Sequence, residues 1–259
     1  MPRLFVPREQ WQKDGVVIRG EDMRYLTRVL RLGPGDAVTV LDGYGRVFNT
    51  VIESVGAREI RLALAAEITP DTEPAVKVSL FQAIPKGDKM DLVIRKATEL
   101  GAARIVPVVT ERVVVHLDEN KASKRQERWQ KIAREAARQC GRTVVPVVEP
   151  VFSFADALNL FLPPKREAET FFREAARPHL GIMPWEGEEK VFLRGCLSGG
   201  KPEAVSVFIG PEGGFTFTEV EQARARGMIT VSLGRRILRT ETAGMVTLAL
   251  VLYAFGEIG

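Results

Sequence analysis

Ser232-Leu-Gly-Arg-Arg-Ile-Leu-Arg-Thr-Glu-Thr-Ala243 is the stretch whose reading decides the fold. It continues a short apolar run, Ile229 to Leu233, passes through a glycine and a cluster of arginines, and opens onto a long apolar segment. A companion lies upstream, where the apolar run Val205 to Ile209 also stops at glycine, in Gly210-Pro-Glu-Gly-Gly-Phe215. Apolar strand, glycine-rich loop and helix, twice over, predict two loops at the carboxyl ends of parallel strands, where open α/β sheets take their ligands. Gly210, Gly213, Gly214 and Gly234 permit positive φ and close backbone approach, while Pro211 stiffens the first loop. In the second loop Ile237 and Leu238 predict an apolar wall beside Arg235, Arg236 and Arg239, a mixture suited to a heteroaromatic ring with a polar tail. Spacing alone equally allows ordinary strand-to-helix turns, which Gly and Pro mark in any α/β protein.

The chain of 259 residues is long enough for one large domain or two smaller ones, and its 45% apolar content is enough for a normal core. A net charge of +4 and a pI near 9.2 favour a polyanionic partner without requiring one. Two cysteines, Cys140 and Cys196, make no disulfide framework, and His116 and His179 give no clustered metal-ligand pattern, so reduced thiols and no metal are expected. Met-Pro-Arg-Leu-Phe-Val at the amino terminus is too short an apolar run for a secretory signal. Met245 to Phe255 falls short of the roughly 20 apolar residues that span a bilayer. A soluble, cytoplasmic protein without a membrane partner is the expectation.

Residues 1–70 read as a small, mostly β domain with a hairpin turn at Asp42-Gly-Tyr-Gly45 and one helix over Asp22 to Arg31. Arg24, Arg28 and Arg31 fall at helical spacing, either facing phosphates with Arg3, Arg8 and Arg46 or forming a solvated face; no aromatic stacking platform stands out beside them. Thr69-Pro-Asp-Thr-Glu-Pro74 reads as the linker to a second domain over residues 75–259. There, strands at Val76 to Ile84 and Ile105 to Val109 flank a helix with Met90, Val93, Ile94, Ala97 and Leu100 on one stripe, a βαβ pattern. Lys121 to Gly141 predicts a long basic helix with Trp129, Ala133, Ala137 and Cys140 on its apolar side, and Val144 to Val148 a further strand. Ser153 predicts one helix cap, and Thr218 with Glu221 a capping box. Gly195-Cys-Leu-Ser-Gly-Gly-Lys201 nearly matches a phosphate-binding P-loop, but Pro202 stands where a hydroxyl is needed and a strand follows, so a nucleotide-hydrolysing reading is rejected. The last helix, beginning around Thr240 to Ala243, is apolar almost all round and must be buried, within one chain or at a subunit interface.

The paired loops Ile209-Gly-Pro-Glu-Gly-Gly-Phe215 and Leu233-Gly-Arg-Arg-Ile-Leu-Arg-Thr-Glu-Thr-Ala243 resemble the signature of SPOUT methyltransferases of the RsmE type. Tyr25-Leu-Thr-Arg-Val-Leu-Arg31 with Gly35-Asp36, Lys86-Gly-Asp-Lys-Met90, Lys96-Ala-Thr-Glu-Leu-Gly101, Glu111-Arg112 and Arg138-Gln-Cys-Gly-Arg142 extend the likeness through nearly the whole chain. The resemblance implies methylation of N3 of a specific uridine in 16S, small-subunit ribosomal RNA, with S-adenosylmethionine as cofactor. It implies an α/β fold, a SPOUT-type parallel-sheet domain with a carboxyl-terminal trefoil knot, preceded by a PUA-like RNA-binding β-barrel; general topology rules alone predict an unknotted open sheet. It also implies a homodimer in which both subunits contribute to each cleft, acting on naked rRNA or on the assembled 30S subunit. Leu180 to Met183 before Pro184-Trp-Glu186 resembles the first of three cofactor loops. The implied cofactor-binding residues are Met183, Ile209, Gly210, Pro211, Glu212, Gly213, Gly214, Leu233, Gly234, Ile237, Leu238, Arg239, Thr240, Thr242 and Ala243.

Methyl transfer from a sulfonium needs alignment and no metal, since the leaving group departs as a neutral thioether. Uridine N3 carries a proton, and its loss leaves an anion delocalised towards the carbonyl oxygens. Arg239 and Glu241 are therefore the candidates for charge stabilisation and proton handling, although an ion pair or helix cap explains them as well. Arg3, Arg24, Arg28, Arg31, Arg112 and Arg142 are the candidate RNA contacts. The alternatives are the same scaffold acting on another RNA, such as tRNA, and a noncatalytic RNA-binding ribosome-assembly protein.

Overall fold

Alternating apolar and polar residues build the amino-terminal unit, and continuous apolar runs build the second. The computed structural model describes residues 1–113, 119–161 and 179–259; His116 and Pro163-Pro-Lys165, whose prolines predict a helix break, lie outside the described residues. Contacts divide the chain into Met1–Glu73 with Ala137–Val145, and Pro74–Ala136 with Pro146–Gly259.

The first unit contains strands β1 (Arg3–Phe5), β2 (Trp11–Gln12) and β3 (Gly15–Arg19), helix α1 (Gly20–Arg24), then β4 (Ala37–Leu41), β5 (Val47–Val55) and β6 (Glu59–Ile68). They form one sheet in the order β1-β4-β5-β6-β3-β2, with β1 parallel to β4 and the other pairs antiparallel. Inward-facing Val38, Val40, Ile52, Ile60 and Leu62 pack with Leu26 into its core. Trp11, on an edge strand, meets Phe48 with ring centroids 5.2 Å apart, so the sheet curls around that core. At the expected hairpin turn Asp42 Oδ1 accepts the N–H groups of Tyr44 at 2.7 Å and Arg46 at 3.0 Å, which fixes the tip. Helix α1 runs on as a π-helical turn over Tyr25–Val29, and Arg31 has φ +57°, so it stands beyond the helix that was expected to include it.

The second unit proceeds through β7 (Lys77–Ala83), α2 (Lys89–Leu100), β8 (Arg104–Val109), α3 (Glu119–Cys140), β9 (Val147–Val148), β10 (Phe152–Ser153), α4 (Phe154–Phe161), β11 (His179–Pro184), α5 (Leu193–Cys196), β12 (Ala204–Ile209), α6 (Phe217–Ala225), β13 (Ile229–Val231) and α7 (Thr240–Ala254); the last residues of α3 belong to the first unit. All its strand pairs are parallel, in the order β10-β8-β7-β12-β11-β13, with β9 also on β8. Covered on both faces, these strands read as unbroken apolar runs rather than as alternations. The Phe81 and Phe208 rings stack at 4.2 Å in the core between Phe154, Phe161 and Met183. Each such fully buried side chain contributes on the order of 2 kcal/mol relative to an exposed one.

Three local expectations need correction. The capping box of α6 is Thr216 with Glu219, one Thr-x-x-Glu pattern earlier than Thr218 with Glu221, because the helix starts at Phe217. The strand expected over Val144 to Val148 is confined to Val147–Val148, since Pro146 lacks the N–H a ladder needs; Val144 instead bridges Tyr44. Cys140 is exposed, while Trp129, Ala133 and Ala137 form the buried side of α3. Ser153 caps α4 as expected, its Oγ accepting the Asp156 N–H at 3.1 Å. Lys201, which a P-loop would aim at a phosphate, pairs with Glu257 at 2.6 Å. Among the described residues no helix is long and apolar enough to cross a membrane.

Candidate active site

β12, β11 and β13 are neighbours, so their carboxyl ends lie side by side. The loops that follow them, with the first turn of α7, enclose a cleft of about 500 Å³ lined by residues 184–186, 209–215, 232–240 and Ala243. This volume falls within the usual range for small-molecule sites.

Each loop has its own fastening. After β11, Trp185 N–H donates to Val231 O at 3.1 Å, and the Arg224 guanidinium lies 5.5 Å from the Trp185 ring centre. Glu188 closes this loop: the Thr230 hydroxyl, the backbone N–H groups of Lys190 and Val191, and Arg224 hold its carboxyl at about 2, against the partial burial that pushes it up. After β12, Gly214 N–H returns to Pro211 O at 2.9 Å, and Arg112 Nη1 donates to Gly213 O at 2.7 Å. Glu111 N–H donates to Glu219 Oε1 at 2.9 Å, which ties the end of β8 to the start of α6. After β13, Gly234 turns the chain at φ +112°, a conformation L side chains rarely adopt. Thr240 then locks this loop to its neighbour, donating to Gly210 O at 2.5 Å and accepting from Gln82 Nε2 at 2.9 Å; both side chains are buried.

The glycines divide by role. Gly214 has φ +69° and its missing Cβ leaves room for Glu186 Oε1, whereas Gly210 has no positive φ and a Cβ there would lie a tight 3.2 Å from the Phe215 ring. Gly213 needs neither: a Cβ there would make ordinary 3.5 Å contacts with Arg112. Of the four glycines that permit positive φ, Gly214 and Gly234 adopt it.

Charge gathers at one end of the cleft. Lys89 Nζ lies 3.4 Å from Glu212 Oε1 and 3.4 Å from Glu241 Oε2. Burial pushes the Glu212 carboxyl up, but backbone N–H groups, including that of Lys86, and Lys89 outweigh it and leave the group below the usual carboxylate range. Arg239 is exposed at the N-cap of α7 and lines the cleft. Among the described residues no group of three or more His, Cys, Asp or Glu is placed to hold a metal ion.

Two family profiles match: an RNA methyltransferase domain over residues 72–252 and an RNA methyltransferase PUA domain over residues 18–64. The chain is 34% identical over 236 residues to Ribosomal RNA small subunit methyltransferase E of Bacillus subtilis, covering 91% of this chain and 89% of the relative. The chain belongs to the ribosomal RNA small subunit methyltransferase E family. A Synechocystis protein of the same name is 34% identical over 247 residues, 95% of this chain and 76% of the relative. The crystal structure of a Ribosomal RNA small subunit methyltransferase E from Neisseria gonorrhoeae bound to S-adenosyl methionine superposes with a TM-score of 0.79 at 31% identity over 97% of each chain.

In this ribosomal RNA small subunit methyltransferase E family member the cleft gathers Ile209 to Gly214, Leu233, Gly234, Ile237 to Thr240 and Ala243 from the expected cofactor residues. It does not gather Met183 or Thr242. Met183 still lies within β11, fully buried and paired with Thr230, and the cleft is lined instead by Pro184, the last residue of β11, with Trp185 and Glu186 of the loop. Phe215, Ser232, Arg235 and Arg236 also line the cleft; the continuity of the two loop motifs was the signal for them. Glu241 is buried and directed to Lys89 rather than into the cleft.

Of the candidate RNA contacts, Arg24, Arg28 and Arg31 are exposed on the first unit, and Arg3 is half-buried there. Arg112 reaches Gly213. Arg142 is 5% exposed and donates to Glu73 Oε2 from Nη2 at 2.7 Å, an internal ion pair. Burial pushes the Glu73 carboxyl up, and Arg142 with the Val144 and Thr143 N–H groups more than reverses this. Sequence reasoning missed an aromatic on this unit: Tyr44 is 71% exposed at the fixed hairpin tip, with the Arg8 guanidinium 5.0 Å from its ring centre.

Proposed function

We propose that this chain methylates N3 of a specific uridine in 16S ribosomal RNA, using S-adenosylmethionine. The observation that carries this reading is the cleft at the ends of β11, β12 and β13, walled by the two loops whose motifs mark the family. Its residues fit the cofactor. Gly213 leaves open space that neither backbone strain nor packing requires, Gly210 and Gly214 bring backbone to the surface, and Leu238 with half-buried Leu233 offers an apolar wall. When bound, the cofactor supplies a methyl group on a sulfonium that leaves as a neutral thioether.

The chain's own residues supply alignment and charge. Residues 184–186, 209–215 and 232–240 hold the cofactor, with Gly210 O fixed in place by Thr240. Arg239, exposed at the cleft, stabilises the negative charge that spreads onto the uracil oxygens when N3 gives up its proton to solvent water before attacking the methyl group. Glu241 supports this from beneath, through Lys89, instead of meeting the base itself. Small-subunit rRNA meets Arg24, Arg28, Arg31 and Arg3 on the first unit, where Tyr44 offers a ring for an unpaired base, while Arg112 stands at the cofactor loop. The domain division near residues 70–75, a trefoil knot in the second domain, a cytoplasmic homodimer and recognition within the 30S subunit complete the proposal. Exposed Leu250 and Tyr253 on the otherwise apolar α7 support the dimer, because two such side chains on one helix face are what a partner subunit covers.

The test is methyl transfer from labelled S-adenosylmethionine to unmodified small subunits, naked rRNA and tRNA, with mass mapping of the product. A single N3-methyluridine in 16S rRNA is expected. Methylation of tRNA alone would move the function to another RNA, and cofactor binding without transfer to any RNA would replace catalysis by a binding role in ribosome assembly.

A further inference from the structure

The Lys86-Gly-Asp-Lys-Met90 segment does not itself line the cleft, yet it reaches both halves of the site. Lys89 is the first residue of α2, and its ammonium stands 3.4 Å from Glu212 Oε1 and 3.4 Å from Glu241 Oε2. Glu212 belongs to the loop after β12 and lines the cleft; its Oε1 also accepts Lys86 N–H at 3.1 Å. Glu241 sits in the first turn of α7, two residues after Arg239, and is 9% exposed. Its Oε2 is buried without a hydrogen bond, since the approach of Lys89 is that of an ion pair and not of an aligned N–H donor. A buried carboxylate needs a countercharge to stay ionised, and here the start of α7, whose partial positive charge also favours an anion, receives it from Lys89.

We propose that Lys89 is a positioning residue for methyl transfer, an ionic latch that joins the cofactor loop to α7 through Glu212 and Glu241 and so sets where Arg239 stands. The inference rests on the reading of this cleft as the methyltransferase site. The other charged groups on the elements packed against α7 are Asp91, paired with Arg128 of α3, Lys96, paired with Glu99, exposed Arg95, all on α2, and Lys77 of β7, which donates to Pro74 O. On β7 the neighbour is the neutral Gln82. Removing the Lys89 charge leaves two carboxylates facing one gap, one of them buried. The first turn of α7 then shifts, and the damage appears in the site as well as in the fold.

The test is a double-mutant cycle on the full chain, with Lys89→Met, which keeps length and loses charge, Glu241→Gln, and the pair. Cofactor affinity is read by calorimetry, and turnover on unmodified small subunits is read alongside the unfolding midpoint. Lys89→Met is expected to weaken cofactor binding and lower kcat, each by about tenfold. Adding Glu241→Gln, which removes the need for a countercharge, is expected to recover most of the loss, and Lys89→Arg is expected to stay near wild type. Losses that add in the double variant, or a Lys89→Met protein that differs from wild type only in its unfolding midpoint, would overturn the proposal. If Lys89→Met does not fold, the cycle is completed with Lys89→Gln, judged by the same additivity. Wild-type protein that binds the cofactor but methylates no RNA would sink the functional reading alone, and the affinity cycle would still decide on the latch.

Discussion

Replacing Thr240 by Val removes one hydroxyl and almost no volume, and that hydroxyl is the joint between two cofactor loops. It donates to Gly210 O at 2.5 Å and accepts from Gln82 Nε2 at 2.9 Å, in a place where Thr240 and Gln82 are both buried. Gln82 Nε2 keeps its second partner, Ala83 O at 3.1 Å, so the larger loss falls on Gly210 O. Two neutral hydrogen bonds contribute about 1 kcal/mol each, and a buried polar group left short of a partner costs a further ~1–2 kcal/mol, giving about 3 kcal/mol in all. For a domain of this size that corresponds to a fall of about 6–12 °C in the unfolding midpoint. Because Gly210 O belongs to the cofactor loop, binding of S-adenosylmethionine is expected to weaken as well, and calorimetry with thermal unfolding reads both. Thr240→Ser keeps the hydroxyl and is expected to lose less than about 1 kcal/mol. If Val and Ser behave alike, or Val lies within about 0.5 kcal/mol of wild type, the hydroxyl is not the joint described here.

The remaining predictions concern the loops and the surface. Gly213→Val, at a position without positive φ and with room for a Cβ, is expected to leave the unfolding midpoint nearly unchanged while cofactor affinity falls at least tenfold; Gly214→Ala, at φ +69°, is expected to cost about 1–2 kcal/mol of stability in addition. Glu188 has its folded pKa depressed from 4.5 to about 2, so its contribution is complete above pH 4.5 and is lost as pH falls towards 2. Glu188→Gln should therefore flatten the acid limb of stability in that window, and an unchanged slope against wild type would refute the assignment. Alanine at Arg24, Arg28 and Arg31 together is expected to weaken RNA binding and reduce the slope of log affinity on log salt by about two to three units, measured by titration at several salt concentrations. Tyr44→Ala should weaken RNA binding about tenfold with an unchanged salt slope, because stacking involves no counterion.

The loops were legible in the sequence because each combines two local signals, an apolar run and an abrupt glycine. Ile209-Gly-Pro-Glu-Gly-Gly-Phe215 and Leu233 to Ala243 both reach the cleft, as this grammar predicts. Local periodicity carries no information on which strands pair, so it did not reveal that β11 lies between β12 and β13. Nor did it reveal that Ala137–Val145 belongs with the first unit. Met183 lies in the core and not in the cleft lining for a related reason: β11 runs on to Pro184, and only the end of the strand decides between core and cleft. The capping box was ambiguous because Thr216-Phe-Thr-Glu219 and Thr218-Glu-Val-Glu221 overlap, and only the start of α6 chooses between them. The ion pair of Arg142, a candidate RNA contact, was not legible because its partner, Glu73, is far away in sequence.

The residues of the cleft fall into two kinds, and the difference locates the ligand. Gly214, Gly234 and Thr240 each have a reason within the fold: a left-handed backbone at the two glycines, a buried hydrogen bond at the threonine. Gly213, Ile237 and Arg239 have none. Gly213 has room for a side chain, Ile237 is 90% exposed although burial would favour it, and Arg239 caps a helix without using its side chain. A protein that satisfies local preferences almost everywhere departs from them where function requires it. All three of these residues line the cleft, on two of its three loops. Substitutions at the first kind should therefore change stability and binding together, whereas substitutions at the second should change binding or turnover and leave the fold alone.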